Sequence, residues 1–182
     1  MAGDRIRLFC ALQLPDDAVR ELVSWREASL PSAGRPVRPE DLHVTLAFLG
    51  SRPATEVPVI AEAMRECCSE AQPLDLRPFR YRETRSAGML VLDDPGGAAA
   101  ALAATLQERL DVLGVYRREA RAWLPHVTLF RFRKPEGLRP DLANMCSLHV
   151  VRSALYRSVL APNGARYDAL ETAALGGNED GS

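Results

Sequence analysis

The chain has almost no lysine and little histidine: Lys134 is its single lysine, and three histidines are spread over 182 residues. Its four cysteines, Cys10, Cys67, Cys68 and Cys146, form no CxxC pair and no spacing that suits a zinc site, so no metal is expected. They read as free, mostly buried thiols in a reducing compartment, and the cytoplasm is the expected location. No apolar run reaches the length of about eighteen residues that a membrane-spanning helix needs, so no membrane partner is expected. The N-terminal stretch MAGDRIRLFCALQLPDD is too short in its apolar part, and too acidic beyond it, to read as a signal peptide. The formal net charge is −1 and the pI near 6.3, which excludes the global basic field of a duplex-binding protein. Any nucleic-acid contact must therefore come from a local patch of arginine, the better bidentate phosphate ligand. A glycine-rich phosphate loop ending in Lys-Ser/Thr is missing, as is a nucleophile elbow. Neither NTP-driven chemistry nor a serine or cysteine triad is supported.

What is present is ordinary for a globular protein, with 47% hydrophobic and 26% charged residues. The length suits one compact domain, or two small lobes sharing a core. Residues 6–14 read as a strand, followed after Pro15-Asp16-Asp17 by an amphipathic helix with Ala18, Leu22, Trp25 and Leu30 on one stripe. A Pro/Gly/Arg loop over residues 31–39 leads to a second strand, 42–49, which Gly50-Ser51 is expected to stop. A helix is expected over 55–68 with Pro58 in its first turn. Strands follow at 74–79 and 89–92, with the segment RYRETRSAG between them read as an arginine-bearing loop or edge. Pro95-Gly96-Gly97 opens a helix over 98–113 with Leu102, Leu106, Leu110 and Leu113 on one stripe and Gly114 at its C-terminal cap. The chain continues as a strand over 126–132, then strands over 147–160 and 166–175 joined by the turn APNGA, and a disordered tail over 176–182.

Two of the three histidines begin the same tetrapeptide. HVTL stands at His43–Leu46 and again 83 residues later at His126–Leu129. Strand, helix, loop and HVTL recur in each half, so the chain reads as one α+β unit used twice. Alternation along a strand puts His43 and Thr45 on one face and Val44 and Leu46 in the core, and the same holds for His126 and Thr128. Bringing the equivalent strands together gives a pocket with two imidazoles and two hydroxyls. Two groups titrating near neutrality suit concerted acid–base catalysis, and hydroxyls suit the non-bridging oxygens of a phosphate. The third histidine, His149 in SLHVVRS, has no such context and reads as structural.

These residues carry a resemblance. With its paired His-x-Thr-x motifs, the flanks RPEDLHVTLAFLG and PHVTLFR, and the segments RLFCALQLP and LYRSVLAPNGARYDAL, the chain resembles the two-histidine phosphoesterase superfamily. Within it, the likeness is to the RNA 2′,3′-cyclic phosphodiesterases, also called 2′-5′ RNA ligases. The resemblance implies an α+β, bilobal fold: two pseudo-symmetric lobes, each an antiparallel sheet flanked by helices, with the active site in the cleft between. It would occupy residues 1–175 as a single domain, with pseudo-repeats near 5–80 and 85–175. The implied reaction is hydrolysis of RNA 2′,3′-cyclic phosphate ends to 2′-phosphomonoesters with no cofactor, neither metal nor ATP, and with reversible 2′-5′ ligation as a companion activity. RNA bearing such an end, or a nucleoside 2′,3′-cyclic phosphate, is the implied partner, and a monomer is the expected state. By match to the motif, His43 is the general acid at O3′ and His126 the base; the likeness of the halves leaves the reverse open. Thr45, Thr128 and Arg131 are the implied phosphate ligands, although alternation puts Arg131 opposite His126 unless a bulge intervenes. Phe48 matches a position beside the substrate, whereas strand parity assigns it to the core. Arg80, Arg82, Arg85, Arg117, Arg118 and Arg121 are candidates to guide RNA. Two other functions remain open: an enzyme of small cyclic nucleotides or 2′-5′ oligonucleotides, and a nucleotide- or RNA-binding module without turnover.

Overall fold

The computed structural model describes residues 4–30, 34–142, 145–161 and 164–177. Part of the loop expected over 31–39, the centre of the APNGA turn and most of the expected tail lie outside the described residues. In chain order the elements are β1 (Arg5–Gln13), α1 (Asp16–Ser29), β2 (Arg35–Pro36), β3 (His43–Pro53), α2 (Val57–Glu70), β4 (Leu74–Glu83) and β5 (Ala87–Asp93). They continue with α3 (Ala98–Val112), β6 (His126–Arg131), β7 (Leu148–Val150), β8 (Arg152–Ala161) and β9 (Gly164–Ala174). The fold is α+β, as expected, with antiparallel pairing throughout.

Local chemistry accounts for most boundaries. Asp16 and Asp17 sit in the first turn of α1 and complement its dipole. Pro58 lies in the first turn of α2, where its missing N–H has no intrahelical partner to lose. Helix α3 ends in a Schellman motif: Gly114 adopts φ 70°, its N–H donates to Asp111 O at 2.9 Å, and that of Val115 to Leu110 O at 3.1 Å. Leu113, at the reversal, leaves the buried stripe formed by Leu102, Leu106 and Leu110.

Three expectations are corrected. Trp25 is not part of the buried stripe of α1; its Nε1–H donates to Asp141 O at 2.9 Å near the surface, and Arg26 takes the inward position with 5% exposure. Gly50 does not stop β3, which runs on to Pro53 because residues 50–53 keep pairing with β1. The segment RYRETRSAG, expected as a loop or an edge, holds both: residues 80–83 form an edge paired with β5 on one side, and residues 84–86 turn back into β5. Arg80, Tyr81 and Arg82 pair with Val91, Leu90 and Met89, and Gly88 makes room for the Tyr81 ring; a Cβ there would meet the Tyr81 hydroxyl at 2.1 Å. Finally, residues 147–160 are two strands broken at Val151.

That last break reveals the shape. The strand order is β7-β4-β5-β6-β3-β1-β8-β9, with β2 pairing separately to β6. One residue separates β7 from β8 in the chain, yet β7 is an end strand and β8 lies six places along. The sheet must curl until its two ends approach. The order is also symmetric about its middle: β5-β6 mirrors β1-β3, with β4 and β8 outside them and β7 and β9 at the ends. The half-sheets are not contiguous stretches of chain, since β4 joins β5 whereas β8 and β9 join β1. The expected repeats over 5–80 and 85–175 therefore each give strands to both halves.

The helices cross between halves as well. Helix α3 packs on β3 and α2, and α2 packs on β8 and β9, while Arg26 of α1 reaches the carbonyl of Leu129 in β6. The halves share one core, which includes Val44, Leu46, Val127 and Leu129. They are joined at the sheet centre by a single register pair, Val44 with Val127, both fully buried. Truncating either valine to alanine removes two buried methyl groups and is expected to cost roughly 2 kcal/mol of unfolding free energy. The double variant should cost less than the sum, because the side chains meet. Urea unfolding of the three variants measures this; strict additivity would mean that the pair does not join the halves.

Candidate active site

The chain just before each motif strand sets its histidine. His43 Nδ1 lies 2.7 Å from Asp41 O, and His126 Nδ1 lies 2.8 Å from Leu124 O, two residues upstream in both cases. A carbonyl oxygen only accepts, so each Nδ1 carries a proton and donates it. Nε2 is therefore the free basic nitrogen on both rings. The same local geometry, produced twice, fixes the same tautomer twice.

Both strands then break their alternation at the same residue. Opposite β5, Met89 faces Thr128 and Gly88 faces Phe130, which leaves Leu129 as the extra residue of a bulge. Opposite β1, Ala11 faces Thr45 and Cys10 faces Ala47, which leaves Leu46 as the extra residue. The burial of HVTLAF and HVTLFR is identical position by position: half-buried, buried, half-buried, buried, buried, exposed. The fifth residue beyond each histidine is thereby turned back to the histidine's face. In β6 this is Arg131, for which the required bulge is present. In β3 it is Phe48, which corrects the core assignment from strand parity: Phe48 is 49% exposed and lines the cleft.

The cleft has a volume of about 740 Å³. His43, His126, Thr45, Thr128, Arg131 and Phe48 all line it, so every candidate read from the motifs lies on one surface. The six candidate RNA-guiding arginines do not line it; the other cleft arginines are Arg7, Arg35 and Arg38. No motif marked them. Arg7 stands in β1, where its guanidinium lies 5.4 Å from the centre of the Phe48 ring. Arg38 is engaged by Asp41, with Nη2 to Oδ2 at 2.6 Å. The third histidine, His149, is elsewhere, its Nδ1 2.9 Å from Asp75 Oδ1 on β4.

The two histidines have different surroundings. His43 is boxed by aromatic rings, with ring centres at 4.9 Å to Phe9, 5.4 Å to Tyr167 and 6.2 Å to Tyr156. Burial in this box pushes its pKa down to about 4, opposed by the bond to Asp41 O and reinforced by repulsion from His126 and Arg131. In the free protein, then, His43 is neutral at pH 7. Paired imidazoles presenting Nε2, flanked by hydroxyls and an arginine, can hold an anion and move protons on both sides of it.

A fold of mirrored half-sheets with a His-x-Thr strand from each defines a two-histidine phosphoesterase. More narrowly, the chain belongs to the 2′-5′ RNA ligase superfamily, whose sequence profile matches residues 14–157. It is similar to the RNA 2′,3′-cyclic phosphodiesterase of Escherichia coli, with 29% identity over 93% of this chain and 96% of the relative. The protein of the same name from Thermus thermophilus is 32% identical over 94% of this chain and 91% of the relative. Among solved structures, E. coli LigT complexed with 3′-AMP superposes with a TM-score of 0.79 at 28% identity, covering 94% of this chain and 99% of that one. TT0787 of T. thermophilus does so with a TM-score of 0.80 at 30% identity, covering 96% and 100%.

The depressed pKa of His43 has a consequence for stability. The folded value lies below the unfolded value of 6.5, so between these pH values the unfolded chain binds more protons. Stability from this group is complete above pH 6.5 and is lost as pH falls through about 4. The contribution is at most about 3 kcal/mol. Urea unfolding from pH 7 to pH 4 should show a steeper loss in the wild type than in His43→Asn; equal slopes would mean that His43 is not desolvated.

Proposed function

We propose that this protein hydrolyses RNA 2′,3′-cyclic phosphate ends to 2′-phosphomonoesters by paired-histidine acid–base catalysis. The observation that carries the proposal is the matched presentation of two Nε2 atoms, each with a threonine hydroxyl, on one cleft that also holds Arg131. The names of the relatives support the substrate class.

In the proposed step, water attacks phosphorus in line with the bond to O3′. His126 Nε2 accepts a proton from the water as the new P–O bond forms. The P–O3′ bond breaks, and O3′ takes a proton from His43 Nε2–H. Product is a 2′-phosphate beside a free 3′-hydroxyl, and proton exchange with solvent resets the histidines. Thr45, Thr128 and Arg131 hold the non-bridging oxygens, whose charge grows in the transition state. With a 5′-hydroxyl in place of water as the attacking group, the same step forms a 2′-5′ linkage, which is the ligation.

This assignment requires His43 to be protonated when it acts. The bound phosphate supplies the condition, since its negative charge beside Nε2 opposes the desolvation and repulsion that hold His43 neutral in the free protein. That resting neutrality is also the one observation favouring the reverse assignment, with His43 as base.

The test is product analysis after incubation with a short RNA ending in a 2′,3′-cyclic phosphate, without ATP and with a chelator. A 2′-phosphate end is expected, with turnover lowered roughly 10²–10⁴-fold in His43→Ala and in His126→Ala. A 3′-phosphate, or no turnover with binding intact, would overturn the proposal.

A further inference from the structure

A bulge frees a backbone carbonyl from the ladder, and a freed carbonyl inside a core needs a donor. The two motif bulges meet this need in related ways. In β3, the Leu46 carbonyl accepts a bond from Gln107 Nε2 at 2.7 Å, and the neighbouring Thr45 carbonyl accepts one from Trp123 Nε1 at 2.9 Å. In β6, the Leu129 carbonyl accepts the N–H of Val37 at 2.8 Å and a longer bond from Arg26 Nη1 at 3.4 Å. The same Nη1 donates to Val37 O at 2.6 Å, and the guanidinium lies 5.6 Å from the centre of the Phe130 ring. Gln107 comes from α3 and Arg26 from α1, so each helix reaches into the other half of the sheet.

We propose that Gln107 and Arg26 are positioning residues that clamp the two motif bulges, and that by doing so they hold Phe48 and Arg131 on the catalytic face. A bulge adds one residue to the strand, and a donor to the carbonyl it frees favours that one placement. A slip that carried the extra residue out of the stretch between His43 and Phe48 would return Phe48 to the core side. The donors are placed where they oppose that slip. Arg26 is more than nine-tenths buried, and its Nη1 donates to the backbone around the bulge. The histidines keep separate anchors at Asp41 O and Leu124 O, so the clamps govern the fifth position beyond each histidine more than the histidine itself.

The inference deepens the proposed reaction and, for its kinetic readouts, rests on it. Gln107 is the first target, because it is only half-buried and Met matches its shape without a donor. Gln107→Met should raise KM for cyclic-phosphate RNA by about tenfold or more with kcat nearly held, the scale expected for a misplaced contact group. Gln107→Lys, which restores a donor, should recover most of the loss, and Gln107→Glu should not. In a Phe48→Ala background, Gln107→Met should cost almost nothing further. Arg26→Met tested against Arg131→Ala should show the same lack of additivity, provided that it unfolds cooperatively. Additive losses, or a fall in kcat with KM unchanged, would overturn the clamp.

Amide hydrogen exchange gives a readout independent of turnover. Exchange at residues 46–49 should quicken in Gln107→Met, with α3 unchanged. If the wild type hydrolyses no cyclic phosphate, the functional proposal fails, and this measurement decides the clamp alone. Faster exchange confined to the bulge supports it; unchanged exchange overturns it.

Discussion

A β-strand turns successive side chains to opposite faces, and the cleft depends on that alternation being broken at the fourth residue of each motif, Leu46 and Leu129. Without the bulge at Leu129, Arg131 would face the core with Val127, and without the bulge at Leu46, so would Phe48. With both, three residues of each strand reach one surface, at the first, third and sixth places of the motif. The two sides are then alike in histidine and threonine and unlike in the sixth place, where one carries a guanidinium and the other an aromatic ring. A symmetric scaffold thus gives an asymmetric site.

Electrostatics adds a second asymmetry. Both imidazoles have their tautomer set by a carbonyl two residues upstream, so both offer Nε2. Only His43 stands among Phe9, Tyr156 and Tyr167, and burial there disfavours its cation. In the proposed reaction the phosphate anion compensates that penalty, so the acid would be assembled with its substrate. The aromatic box comes from β1, β8 and β9, which stand on the far side of β3 from β6. Curling of the sheet turns these strands toward the cleft.

Much of this was legible in the sequence, for reasons that differ by feature. The motif pair was legible because it is local: four residues repeated at matching places, in strands whose alternation is short and regular. Helices α2 and α3 were legible through their punctuation, Pro58 and Gly114. The bulges were not, because a bulge is a relation between partners and shows only once Gly88 and Met89 are set against β6. Arg131 hinted at one by its wrong parity, and Phe48 in the equivalent place carried the same hint. Arg7, Arg35 and Arg38 reach the cleft from β1 and from the chain around β2, and no spacing links them to HVTL. Arg26 carried no signal in the sequence. Its burial follows from the need of β6 and Val37 for a donor, which one helix read alone does not reveal.

The claim at the centre of the account is that the two histidines divide the work, one giving a proton to the leaving oxygen and the other taking one from water. The most direct test compares His43→Ala and His126→Ala on the cyclic-phosphate RNA and on an aryl phosphodiester whose nitrophenolate leaves without a proton. The account predicts that both variants fail on the RNA, and that His43→Ala alone recovers on the aryl ester, because only its task has been removed. Equal loss of both variants on both substrates would contradict a division between acid and base.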